Sequence, residues 1–403
     1  MTPDDALEEV LSALRASLAQ RVAVPAGDVR AVIAPYRICP LGAHIDHQGG
    51  SVLGMAIDAY SVLAFAPSAD AACELWSRNF DGEVRFDFRD PGEPGSRDDG
   101  WGRYVRAAAW SLRAELPNAS RGLFGEIWGA LPSTGLSSSA SVLLCYLSAM
   151  AAANDRSLAP TRLVELSRRC ENDYVGVQSG FLDPATIAAA KRGELLRIDT
   201  ANLSWESAAA GTAAPDVRFL VVFSGRDRNL TETNFNARVA ETRAAAARLG
   251  ELAGQGAVHG LGELSDDVFA EHAGALPPGQ RRRAEHFFGE RARVERGWSC
   301  WREGDTDAFG ALMFESCRSS IERYETGSPE LIEIQAILEN TEGVRGARFS
   351  GAGFGGCSIA LVHARDAEAT RERVARAVSK RFPAFAERSD VRIVSSEDGL
   401  RLR

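Results

Sequence analysis

The chain has 403 residues, 45% of them apolar and 25% charged, and a formal net charge of −9. That length suits two domains of ordinary globular composition. The acidic balance argues against a sequence-independent nucleic-acid binder, which needs a basic surface.

Thr2-Pro3-Asp4-Asp5 reads as a helix start, and Ala6 to Leu18 has the apolar spacing of an amphipathic helix. The same terminus, MTPDDALEEV, is acidic and lacks the basic-then-apolar order of a secretory signal. Alternation over Val29–Ile33, Ser61–Ala66 and Glu83–Phe88 predicts strands. Asp90–Gly102, rich in Gly, Pro and Asp, reads as a surface loop. Trp101–Leu116 reads as a helix and Leu123–Ile127 as a short strand. A long apolar helix is expected after LPSTGLSSSAS (131–141), and its stretch Ala140–Ala153 is too short to span a bilayer. Pro160–Asn172 reads as another helix. Ala201–Asp216 is small and polar, a linker by composition, and Val217–Phe223 is a buried strand opening a second half. Helical patterns dominate Asn234–Thr341, and a helix over Ala367–Phe382 follows. The expected division is two α+β domains, 1–210 and 211–403, with a cleft between them.

Lys191 and Lys380 are the only lysines, and no Gly-Lys-Ser/Thr occurs, so a Walker-type P-loop is absent. The seven cysteines are odd in number and widely spaced, with no CxxC pair. They point to reduced thiols in a cytoplasmic protein rather than to zinc or a disulfide framework.

Three motifs and a carboxylate pair carry chemistry. PYRICPLGAHIDHQGG (35–50) ends a strand near Ile38, and its glycines permit tight turns. His44 and Asp46 alternate, so in extended chain they share one side and could read hydroxyls. The alternative is a turn held by Asp46 with exposed histidines. In LPSTGLSSSAS, Ser137, Ser138 and Ser139 open the apolar helix, whose first-turn N–H groups and dipole suit phosphate. The alternative is a serine-rich N-cap. FSGAGFGGCSIAL (349–361) matches GxGxxG, but an alternating strand follows where a dinucleotide site needs a helix. A loop bringing backbone close to a ligand or another loop, or a tight hairpin turn, remains. Glu171 and Asp183 lie in CENDYVGVQSGFLDPA; Asp183-Pro184 is also an ordinary turn dipeptide.

In their order, these pieces resemble the superfamily of galactokinase, homoserine kinase, mevalonate kinase and phosphomevalonate kinase (the GHMP kinases). RICPLGAHIDHQGG is similar to the galactokinase signature, LPSTGLSSSAS to the phosphate loop and FSGAGFGGCSIAL to the third motif. CENDYVGVQSGFLD is similar to the segment with a metal-ligand Glu and a catalytic Asp twelve residues later, and FNAR (235–238) to the family's Tyr-Asn-x-Arg. The resemblance implies a two-domain α+β fold, the first domain like one of ribosomal protein S5 and the second ferredoxin-like, with the site between them. It implies ATP- and Mg²⁺-dependent phosphorylation of a sugar's anomeric hydroxyl. Asp183 would accept that proton and Arg37 would hold Asp183 ionised. The Gly135–Ala140 backbone, including Leu136, would cradle the nucleotide phosphates. Glu171 with Ser138 or Ser139 would hold Mg²⁺, and His44 and Asp46 would bind sugar hydroxyls.

Departures from the galactokinase pattern narrow the substrate. Ala43 stands where galactokinases have a Glu that accepts from the sugar's 6-hydroxyl. A 6-carboxylate gains from that loss, because like charges ~4 Å apart cost about 4 kcal/mol at an effective dielectric of 20. The strings PYRICPLGAHIDHQGG and GARFSGAGF also resemble the galacturonokinase branch more than the galactokinases. The expected substrate is D-galacturonate, giving galacturonate 1-phosphate. The alternatives are galactose or arabinose, and, from another class, a non-catalytic sugar sensor. A carboxylate in a pocket needs a cationic or hydrogen-bonding partner, for which Arg226, Arg228 and His47 with Gln48 are candidates. Tyr36, where galactokinases have Gly, is expected to shape the site. Phe235 replaces a sugar-contacting Tyr, and the phosphate loop is one residue shorter than in galactokinases. No nucleic-acid or membrane partner is expected.

Overall fold

The computed structural model describes residues 3–403 except 96–99, 131–134, 213, 224, 226–234, 352, 354, 355 and 386. Helix α1 (Pro3–Val22) starts on Asp4 and Asp5 and ends on Arg21, charges that complement its dipole. Its buried face is Leu7, Leu11, Leu14 and Leu18, spaced by threes and fours, and it covers Ala31, Ile33, Val62 and Ala64 of the first sheet. Each such leucine contributes roughly 2 kcal/mol.

The first sheet comprises β1 (Arg30–Leu41), β2 (Val52–Pro67), β3 (Ala72–Ser77), β4 (Glu83–Asp87), β5 (Leu123–Gly129), β6 (Glu194–Asp199), β7 (Ser204–Ala209) and β12 (Arg401–Leu402). Their order is β12-β1-β2-β5-β3-β4, with the β6–β7 hairpin attached to the start of β2. Among the described strands of this sheet, only β3 and β5 pair in parallel. The segment expected to be a linker therefore contains β7: Trp205 and its neighbours form a half-buried hairpin strand against β6. Opposite α1, the sheet is covered by α2 (Gly102–Leu112) and α3 (Ser138–Ala153), through Val105, Leu112, Leu143 and Leu147. Helix α4 (Pro160–Arg169) leads into a wide turn, Cys170–Val175, and then α5 (Leu182–Ala189).

The second sheet has the order β11-β8-β10-β9, all antiparallel, from β8 (Val217–Phe223), β9 (Val344–Phe349), β10 (Cys357–His363) and β11 (Asp390–Val394). The helices of this half are α6 (Phe235–Leu252), α7 (Asp266–His272), α8 (Pro278–Glu303), α9 (Thr306–Ser319), α10 (Pro329–Glu339) and α11 (Ala367–Arg381). Ile334 and Leu338 of α10 and Val374 and Val378 of α11 cover one face of this sheet.

One apolar core joins the halves. Ile38, Leu41 and Leu53 of the first sheet pack with Phe219 and Ile359 of the second, and with Phe287, Trp298 and Phe309 of α8 and α9. Gly297 stands mid-helix in α8, where glycine costs about 1 kcal/mol relative to alanine. A Cβ there would lie 2.2 Å from Cδ1 of Leu41, so the glycine admits the end of β1 against α8. No described helix is long and apolar enough to cross a membrane.

Candidate active site

The site forms where β1 ends. Register shifts between Pro35 and Tyr36 and between Ile38 and Leu41 bracket Arg37, and such irregularities re-aim side chains. Arg37 is 2% exposed and its Nε donates to Asp183 Oδ1 at 2.6 Å. Its Nη1 donates to the Gly135 carbonyl at 3.2 Å and to Ser350 Oγ at 3.3 Å. Burial would lower the Arg37 pKa, but the charge and hydrogen bond of Asp183 outweigh it, and the net shift is upward. One guanidinium thus ties together the first motif, the loop before the serine run, the Asp183 segment and the third motif. Asp183 sits in the first turn of α5, and its side chain is 25% exposed.

The strand does not continue through His44 and Asp46. It stops at Leu41; Gly42 has φ 97° and His44 φ 64°. The left-handed region costs a residue with a Cβ roughly 1–2 kcal/mol. Asp46 then opens a single helical turn, Asp46–Gln48. A tight turn, not strand alternation, therefore aims these two residues, and the histidines are not exposed. His44 is buried and stacks on Tyr324, ring centroids 4.3 Å apart and planes 6° apart. Its Nε2 is buried with no hydrogen-bond partner among the described residues. Desolvation, then the neighbouring His286, holds its pKa well below the usual histidine range. Asp46 accepts the N–H of Leu182 at the start of α5, at 3.2 Å. Burial, then the Asp183 charge, pushes its pKa up to about 6.

His47 does not supply a cation. Gln48 Nε2 lies 3.0 Å from its Nδ1 and the Tyr324 hydroxyl 3.1 Å from its Nε2, so Nδ1 accepts and Nε2 carries the proton. Desolvation, then Arg243, lowers its pKa to about 3. Phe235, at the start of α6, meets the His47 ring edge-on at 6.4 Å. Tyr36 is buried in β1 and its hydroxyl faces Gly129, where a Cβ would lie 2.8 Å away. Arg226 and Arg228 lie outside the described residues.

Behind Ala43 stand residues that no motif singled out. The Ala43 carbonyl accepts from His286 Nε2 at 2.9 Å, and His286 Nδ1 pairs with Ser319 Oγ at 2.9 Å. Glu290, one turn further along α8, accepts the Gly42 N–H at 2.7 Å and the Ser316 hydroxyl at 2.6 Å. Arg293 Nε reaches Glu290 Oε2 at 2.7 Å, and Arg348 Nη1 lies 3.6 Å from Oε1. Although burial would raise it, Arg293 and Arg348 hold the Glu290 pKa at about 2. The only signal in sequence is the four-residue spacing of His286 and Glu290, which puts both on one helix face.

At the phosphate end, Ser137 caps α3 in a left-handed conformation, φ 61°, without a side-chain capping bond. Its hydroxyl is buried with no partner among the described residues, so the plain N-cap reading fails. Leu136 is buried and its carbonyl accepts the Arg37 N–H at 3.2 Å; Ala140 is fully buried. Ser138 is the first residue of the helix. Gly135 (φ 89°) and Gly351 (φ 74°) lie face to face: a Cβ on Gly351 would sit 3.2 Å from Gly135 Cα. Through Gly351, the connection from β9 to β10 thus meets the Gly135 backbone directly. Loop residues 131–134 lie outside the described residues.

Glu171, in the wide turn after α4, accepts from Ser139 Oγ at 2.8 Å and from Ser179 Oγ at 2.5 Å. Burial, then the Asp183 charge, pushes its pKa up to about 7. A buried carboxylate beside serine hydroxyls is a hard oxygen donor set of the kind Mg²⁺ takes. No group of three His, Cys, Asp or Glu side chains suited to a metal occurs among the described residues, so phosphate oxygens and water would supply the remaining ligands.

Residues 103–191 match the GHMP kinases N terminal domain and residues 299–384 the GHMP kinases C terminal domain. The chain is 39% identical over 394 residues to a galacturonokinase of Arabidopsis thaliana, covering 93% of each protein. It is a GHMP kinase. A galactokinase of Thermococcus kodakarensis is 33% identical, over 87% of this GHMP kinase and 95% of that protein. The solved structure of Lactococcus lactis galactokinase complexed with galactose superposes with a TM-score of 0.87 at 28% identity, covering 97% of this chain and 99% of that one. A mevalonate kinase, 18% identical with a TM-score of 0.63, shares the fold. Among GHMP kinases, these relatives make this one an ATP-dependent sugar 1-kinase.

Proposed function

We propose that the protein transfers the γ-phosphoryl group of ATP to the anomeric hydroxyl of D-galacturonate, giving galacturonate 1-phosphate and ADP. Ala43 carries this reading. The residue is buried and offers no carboxylate at the corner where a galactokinase meets the sixth carbon, and the next residue, His44, has a buried Nε2 without a partner among the described residues. The similarity to a galacturonokinase supports the same choice.

Phosphoryl transfer is mostly positioning and electrostatic stabilisation. Asp183 is the group that accepts the hydroxyl proton; Arg37 donates to its Oδ1 and fixes the carboxylate's position, leaving Oδ2 for the hydroxyl. The first turn of α3, with Ser137 and the Gly135–Ala140 backbone, binds nucleotide phosphate. Ser139 and Glu171 would hold Mg²⁺, which neutralises phosphate charge when bound; Ser138 is the other candidate hydroxyl. Asp46 accepts sugar hydroxyls. The working division remains 1–210 and 211–403, with residues 401–402 crossing back to the first sheet.

The test is a coupled ADP-release assay on galacturonate, glucuronate, galactose and arabinose. Galacturonate is expected to have the highest kcat/KM; preference for galactose or arabinose would overturn the substrate assignment. ADP release that does not depend on sugar would remove the kinase role.

Asp46 gives a pH prediction with two opposite signs. Its pKa rises on folding from 3.8 to about 6, so its contribution to stability is present below 3.8 and lost as pH climbs through 6. Hydroxyl acceptance needs the ionised form, so kcat/KM falls below about pH 6 while kcat holds better. Asp46→Asn is expected to melt at higher temperature than the parent near pH 7.5 and to bind sugar poorly. A lower melting temperature for that variant would contradict the electrostatic account.

A further inference from the structure

We infer that a buried cationic cluster behind Ala43, made by Arg293 and Arg348 around Glu290 and fronted by the His44 imidazole, is the subsite for the substrate's 6-carboxylate. The inference rests on the galacturonate reading and names how that acid is held.

Charge is counted first. Glu290 is completely buried, as is Arg348, and the Arg293 side chain is 13% exposed. Two guanidinium groups share one carboxylate. His44, His47 and His286 carry no charge at neutral pH, since burial lowers the pKa of each. The cluster therefore keeps one positive charge in excess, most of it shielded from bulk water. An uncompensated buried charge costs several kcal/mol, and an anionic ligand group removes that cost.

Hydrogen bonds give the second observation. Arg348 uses Nε on the Phe349 carbonyl at 3.0 Å and Nη1 on Ser316 Oγ at 3.0 Å. Ser316 passes its own proton to Glu290. Arg293 uses Nε on Glu290, while its Nη2 is buried without a partner among the described residues. His44 Nε2 is also buried without a partner among the described residues, on a ring stacked against Tyr324. Buried polar atoms of native proteins are paired in the great majority of cases. Two buried orphans, one on the residue after Ala43 and one on the guanidinium that pairs with Glu290, beside an excess positive charge, fit a carboxylate that accepts from His44 and is balanced by the guanidinium pair.

Location gives the third. Glu290 binds the Gly42 N–H and His286 the Ala43 carbonyl, so the cluster is anchored to the two residues that frame the corner. A separate group, Asp183, Asp46 and Glu171, has Arg37 as its shared cation. The site is thus polarised, positive at the sixth carbon and acidic at the first. A uronate entering backwards would set its carboxylate among three acids. The cluster therefore selects both the substrate and its orientation.

The test compares the full-length parent with Arg293→Met, Arg293→Lys and Arg348→Lys, on galacturonate, on its uncharged methyl ester and on galactose. Arg293→Met is expected to raise the KM for galacturonate about tenfold or more, with KM for ATP and kinetics on galactose and the ester unchanged within about twofold. Arg293→Lys restores most of the galacturonate KM. Equal losses on charged and neutral sugars, or no change in the ratio for any variant, would overturn the inference. If Arg348→Lys does not fold, the ratio of galacturonate to methyl-ester kinetics in the two Arg293 variants remains as the reading. A preference independent of Arg293 overturns the inference. A parent that favours galactose overturns the substrate assignment itself, which separates the two failures.

Discussion

Asp183→Asn lowers kcat by about a thousandfold, within the range a positioned general base supplies. Asparagine keeps the shape and still accepts from Arg37 Nε, now 2.6 Å from Asp183 Oδ1, but it takes no proton. Sugar KM is expected to stay within about threefold, because ground-state contacts persist. The buried Arg37 loses its counter-charge, so the variant is also less stable. Asp183 is one quarter exposed, and after discounting for solvent the loss is about 2 kcal/mol, readable by urea unfolding. Single-turnover ADP release measures the chemical step. A residual kcat within tenfold of the parent would sink Asp183 as the proton acceptor and leave it a positioning group.

Ala43→Glu is expected to cost about a thousandfold in kcat/KM for galacturonate. A new carboxylate ~4 Å from the substrate's own is worth about 4 kcal/mol at an effective dielectric of 20, close to three powers of ten. Galactose should move the other way, since its 6-hydroxyl gains an acceptor. The backbone at Ala43 stays held by His286 through its carbonyl. Crossed kinetics on the two sugars measure this directly. Unchanged galacturonate kinetics would dispose of the charge argument.

What the sequence made legible follows from distance along the chain. Arg37, the Ser137–Ser139 run, Glu171 and Asp183 lie in short motifs, each with its local chemistry. Their family order shows that they belong together; their meeting through Arg37 is a tertiary fact. The region around Ala43 was much less legible. His286, Glu290 and Arg293 lie on one helix, Tyr324 in the turn after α9 and Arg348 on β9, and nothing in their local patterns marks them. Strand alternation misled for His44 and Asp46, because a left-handed residue breaks the period. Polarity misled for Ala201–Asp216, where β7 is a half-buried hairpin strand whose serines and glutamate resemble a linker. His47 was a reasonable cation until burial removed its charge.

The pairing of β12 with β1 bears on the order in which this molecule can be made. Val32 and Ile33 have Leu402 and Arg401 as neighbours on one side and β2 on the other. Just upstream, Glu397 accepts from Tyr60 and is gripped bidentately by Arg192 at 2.8 and 2.9 Å, so the closing segment is locked to early strands. During synthesis from the N-terminus, the strand that carries Arg37 therefore waits with one edge open until residues 397–402 emerge. An open edge invites pairing with another chain. The hazard is timed to the ribosome, and it ends only when the last strand closes over the first.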